Sequence, residues 1–116
     1  MVSLSSGHRY YVYQGEVDLR KGFDGLQGLV VNALGKLGQN GEVYVFFNRR
    51  RTQVKMLVWD RTGLVIYYKR LEGGSFERFR RGQAQYEELS WSELQMLMEG
   101  IVLRSIQRRY RYEKKD

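Results

Sequence analysis

The sequence predicts an α+β fold: one domain with an antiparallel sheet of about four strands and two packed helices. Three observations point there. Nine tyrosines and five phenylalanines favour pleated, half-buried strands over a helical bundle. Asp60-Arg61-Thr62-Gly63 is turn chemistry between two strand-like runs. Ser90-x-x-Glu93 before an apolar stripe is a helix-start signature. At 116 residues, 42% of them hydrophobic, the chain fits one domain with a core.

The first strand is expected over His8–Gln14, ended by Gly15. Next, Asp18 is placed as the N-cap of a helix over Asp18–Leu34. Phe23, Leu26, Val30 and Leu34 recur at helical spacing, and Gly35 is the stop. Gly22, Gly25 and Gly28 fall inside this helix. Each costs up to about 1 kcal/mol against alanine, which suggests close packing on a sheet or an irregular start.

Three strands follow, over Glu42–Asn48, Gln53–Asp60 and Leu64–Leu71. With Gly63 in a bulge, Asp60 faces Leu64 and Lys55 faces Lys69. That register puts two like charges opposite each other on one face, where a nearby anion or acid would offset them. Both faces near the turn are apolar, so a helix covers one, and a partner or second layer covers the other.

Residues 73–88 read as a connection carrying Arg78, Arg80 and Arg81. The second helix runs from Ser90 to Glu99. Leu89 and Leu94 form a hydrophobic staple, Leu94, Leu97, Met98 and Ile101 form its stripe, and Gly100 is its stop. The domain is expected over residues 1–103, with a basic tail over 104–116.

Charge points to a polyanionic partner. Lys and Arg number 20 against 13 Asp and Glu, a net charge of +7, and Arg suits phosphate and carboxylate better than Lys does. The absence of cysteine removes disulfides, thiolate metal sites and a cysteine nucleophile, and fits a reducing cytoplasm. No apolar run approaches the ~18–20 residues of a spanning helix. The expectation is a cytoplasmic protein with no membrane partner, no cofactor, no metal and no small-molecule substrate.

Catalysis finds little support. His8 is the single histidine, and nothing at motif spacing supplies an orienting group or oxyanion hole. Asp18, Asp24 and Asp60 are spread over a cap, a helix and a turn, not clustered for metal-dependent phosphoryl chemistry. GFDGLQG lacks the preceding strand and the spacing of a dinucleotide loop.

The stronger signal is cationic. Arg49, Arg50 and Arg51 occupy the tip between two strands. Lys55, Lys69 and Arg70 lie on the same hairpin, with Tyr44, Tyr67 and Tyr68 interleaved. Cations among aromatics on a sheet suit phosphate contact with base stacking. The competing reading is a solvated tip that keeps the edge from pairing. Arg20 and Lys21, at the start of the first helix, make a second candidate contact.

DLRKGFDGL, VYVFFNRRRTQVKMLVWDRTGLVIYYKRLEGGSFE and LQMLMEGI together resemble the TnpB accessory proteins of insertion sequence 66 transposons, over about Arg9 to Ile101. The matching blocks are Asp18 with Arg20–Gly25; Asn48–Arg51; Lys55, Trp59 and Asp60; and Tyr68–Glu72. Where family members often have a proline after the last-loop Phe, this chain has Glu77-Arg78 after Phe76, which leaves the path of 76–88 open.

The resemblance implies a non-enzymatic accessory protein encoded beside a separate catalytic transposase, and transfers no catalytic residues. Two readings follow. In the first, the chain binds DNA through Arg49, Arg50, Arg51, Lys55, Lys69 and Arg70, with Arg20 and Lys21. In the second, it docks on the transposase or other transposition proteins without touching DNA. Oligomeric state is left open by both.

Overall fold

The computed structural model describes residues 3–36, 38–78 and 82–99. Arg80, Arg81, Gly100, Ile101 and the segment 104–116 lie outside them.

The elements run β1 (Arg9–Tyr13), α1 (Phe23–Leu34), β2 (Glu42–Phe47), β3 (Gln53–Asp60), β4 (Gly63–Arg70), β5 (Tyr86–Leu89) and α2 (Trp91–Met98). The fold is α+β. The sheet has five strands in the order β4-β3-β2-β1-β5, and it is mixed, not antiparallel throughout. β1 and β2 run parallel, because a parallel neighbour needs a crossover and α1 supplies it. The additional strand is β5, which pairs antiparallel with β1 inside the stretch read as a connection. Only four residues long and carrying Glu87 and Glu88, β5 is a short charged edge that resists further pairing.

Alternation along the strands sends side chains to two cores. One face gathers Tyr10, Val12, Val43, Val45, Phe47, Val54, Met56 and Val58 under Leu94 and Leu97 of α2 and Phe76 of the following loop. The other gathers Tyr44, Phe46 and Leu57 under Leu26 and Val30 of α1 and Val17 and Leu19 of the preceding loop. The second layer anticipated over the hairpin is therefore α2 with Phe76. All six residues of β2 are buried, as a central strand covered on both faces must be.

The β3–β4 hairpin corrects the expected register. Asp60 faces Gly63, Trp59 faces Leu64, Lys55 faces Tyr68, Val54 faces Lys69 and Gln53 faces Arg70. Only Arg61 and Thr62 form the loop. Asp60 Oδ1 accepts from the Arg61 N–H at 2.8 Å, and Gly63 joins the ladder without a positive φ. The turn closes between its own first and fourth residues, with no bulge. Because side-chain direction has period two, the one-residue difference moves Lys69 to the other face. Lys55 and Lys69 are not a like-charge pair.

α1 starts later than expected, with Gly22 as N-cap and no side-chain cap. Asp18 is used elsewhere. Its carboxylate accepts from the Arg20 backbone N–H at 3.0 Å and from Arg20 Nε and Nη2, a local Asx arrangement. A Cβ at Gly22 or Gly28 would meet nothing within 4 Å, so these glycines mark no close approach to the sheet. Gly35 ends the helix as expected, left-handed at φ 72°, with its N–H on Val31 O. The capping box at Ser90 and Glu93 is present in both directions. Gly38 does make a close approach: a Cβ there would fall 2.8 Å from the Trp59 ring.

Candidate nucleic-acid interface

Asn48 builds the tip between β2 and β3. Its Oδ1 accepts from the backbone N–H groups of Thr52 and Gln53 at 2.9 and 3.0 Å, and its Nδ2 donates to Thr52 Oγ1. The Arg51 N–H donates to Asn48 O at 3.1 Å, closing a β-turn with Arg49 and Arg50 at its two central positions. Arg51 then turns left-handed, at φ 60°.

That geometry separates the three arginines. Arg49 and Arg50 project into solvent. Arg49 makes only a loose approach to Glu16, at 3.9 Å. Arg51 folds back: its guanidinium carbon lies 3.9 Å over the Phe47 ring, and Nη2 donates to Glu77 O at 2.6 Å. Its carbonyl accepts from the Phe76 N–H, while its Nε is buried without a partner. Burial and the nearby Arg78 charge lower the Arg51 pKa to about 10, so the group stays charged at neutral pH while packed against the core.

The face of the hairpin that carries Gln53, Lys55, Tyr68 and Arg70 is the α1 face. Beside it lies an open cleft of about 530 Å³, lined by Glu16–Arg20, Asn48–Arg50 and Gln53. Arg20, Arg49, Arg50 and Gln53 thus meet at one end of the sheet. Lys55 Nζ donates to Lys21 O at 3.0 Å and lies 5.2 Å from the centre of the Tyr68 ring, which ties the approach to α1 onto the hairpin. Arg70 is exposed beside Glu72, at 3.1 Å.

Lys69 lies across the sheet, where its Nζ donates to Met98 O at the end of α2. A cation at a helix C-terminus is favourable. Arg20 is held by Asp18, with the closest contact 2.6 Å; hydrogen bonds from Arg20 hold the Asp18 carboxyl well below the usual carboxylate range.

Of the eight sequence-selected cations, Arg20, Lys21, Arg49, Arg50, Lys55 and Arg70 gather around one face. Arg51 and Lys69 do not join them. Phe23 was expected in the helix stripe, but it is exposed at the start of α1; its place directly after Arg-Lys-Gly was the available signal. Among the described residues, no cluster of three or more His, Cys, Asp or Glu could hold a metal ion, and no helix is long and apolar enough to cross a membrane.

The chain matches the family described as IS66 Orf2 like protein over residues 8–108. It belongs to that family. Membership associates the chain with transposition. It is also 36% identical over 76 residues to the uncharacterized protein y4jC of Sinorhizobium fredii (strain NBRC 101917 / NGR234), a match that covers 66% of this chain and 65% of that protein. No solved structure matches the chain. The segments Asp18–Gly25, Asn48–Arg51 and Tyr68–Glu72, on which the sequence resemblance rests, are brought by the fold to the cleft and its hairpin.

Proposed function

We propose that this IS66-family chain is a non-enzymatic accessory protein of DNA transposition that binds DNA through the basic α1 face. The carrying observation is convergence. Arg20, Lys21, Arg49, Arg50, Lys55 and Arg70 come from three separate segments to one end of the sheet, against the carboxylates of Glu16, Asp18 and Glu72. A net charge of +7 adds a long-range field that steers a polyanion. Such contacts position a strand without reading bases, so binding depends strongly on salt and weakly on sequence. Its partners in the process are the transposase and other transposition proteins.

The test is DNA affinity across a salt series. Each phosphate contact contributes about 0.9 to the log–log salt slope on duplex DNA. Replacing both Arg49 and Arg50 with alanine is expected to weaken binding and to reduce the slope by up to roughly 2. Unchanged affinity and slope overturn the proposal. Co-purification with the transposase after nuclease treatment, lost in the same double variant, would instead favour protein docking by these arginines.

A further inference from the structure

Resting on that reading, we infer that the basic face takes single-stranded DNA in preference to duplex, with Tyr68 and Phe23 as rings on which bases stack. Exposed aromatic rings beside cations offer bases a stacking surface. Phe23 is 47% exposed and Tyr68 55%. Neither is needed to seal the core beneath: Leu26 and Val30 anchor α1, and Leu57 anchors the hairpin.

Their placement connects them. Tyr68 faces Lys55 across the β3–β4 ladder. The Lys55 ammonium lies 5.2 Å from the Tyr68 ring centre and reaches Lys21 O at 3.0 Å, two residues before Phe23. Tyr68 and the start of α1, which carries Phe23, therefore meet through Lys55 at the join between hairpin and helix, at the end of the sheet that carries Arg49 and Arg50.

Duplex DNA offers this surface phosphates but keeps its base faces stacked on each other. A single strand offers both phosphates and free base faces. Exposed rings interleaved with cations suit that combination, and base–aromatic stacking is sequence-tolerant because every base has a π-face. The open cleft on Arg20, Arg49 and Arg50 continues the cationic path away from the rings.

The experiment measures fluorescence anisotropy with the full chain. The probes are a labelled mixed-sequence oligonucleotide of about 20 nucleotides, longer than the roughly 4–16 nucleotides common for such sites, and the same oligonucleotide annealed to its complement. The single strand is expected to bind more tightly. Tyr68→Ala and Phe23→Ala are each expected to lower single-strand affinity at least about fivefold and to leave duplex affinity unchanged, while Tyr68→Phe retains it. Equal affinity for both forms, or an equal loss on both in Tyr68→Ala, overturns the inference and leaves the basic-face reading standing. The Arg49→Ala/Arg50→Ala variant tests that reading separately: if it lowers neither affinity, both fall.

Discussion

On the α2 side of the sheet, Val43, Val45, Phe47, Val54, Met56 and Val58 make an unbroken apolar floor under Leu94, Leu97 and Phe76. On the α1 side, the floor of Tyr44, Phe46 and Leu57 gives way toward the Arg49–Arg50 tip to Gln53, Lys55, Tyr68 and Arg70. The strands are the same; only the alternate residues differ. Near the tip, β3 therefore supplies stability on one face through Val54 and Met56 and polar or charged groups on the other through Gln53 and Lys55, so each can be changed without the other. The arginine triplet repeats the contrast at smaller scale. Arg51 stacks on Phe47, on the sealed side, while Arg49 and Arg50 extend outward from the same turn.

The strongest way to break this contrast is to open the sealed side. Phe76 is buried against Phe47, with ring centres 5.3 Å apart. Phe76→Ala is expected to cost about 3–5 kcal/mol in urea unfolding. A loss below about 1 kcal/mol would mean that this loop does not close the core.

The arginines sharpen it next. Arg51→Ala removes a stacked cation and a part-buried hydrogen bond, and should destabilise by about 1–3 kcal/mol. Arg50→Ala, at an exposed turn position, should stay within about 0.5 kcal/mol. The two midpoints measured side by side decide the matter, and equal values would remove the distinction.

The smallest effect tests the aromatic part of the α1 face. The Tyr86 hydroxyl is buried with no hydrogen-bond partner. Burial first, then the neighbouring Tyr13 and Tyr44, push its pKa above the usual tyrosine value. An unfolded tyrosine ionises near pH ~10, while the folded one keeps its proton. Stability from this group is therefore full below that pH and declines as pH rises through the higher folded value. Tyr86→Phe removes both effects. It is expected to raise stability by on the order of 1 kcal/mol at neutral pH and to make the decline in Tm above pH ~10 shallower. A lower Tm at neutral pH would show that the hydroxyl is satisfied.

Where reading residues alone succeeded, the signal was local. The capping box needed only Ser90 and Glu93 three residues apart. Gly35 could be placed as a helix stop because the left-handed conformation is cheap for glycine. β3 was bounded correctly by the turns on either side. The errors arose where one residue had two local uses. Asp18 could cap a helix or bind Arg20, and it binds Arg20. Gly63 could form a bulge or close the turn as its fourth residue, and it closes the turn. β5 was missed because four residues are too few to show a period, and its pairing partner, β1, lies more than seventy positions away in sequence.

The sequence by itself determined the α+β class, the basic balance and the arginine tip, because composition, capping and turn chemistry are written in near neighbours. Only the tertiary structure decided which cations stand together. Lys55 and Lys69 are parted by a one-residue choice of register, since successive side chains point to opposite faces. Arg51 is parted from Arg49 and Arg50 by a left-handed φ that turns it onto Phe47. Arg20 and Lys21 join the hairpin because the parallel crossover of α1 between β1 and β2 carries their segment over the sheet.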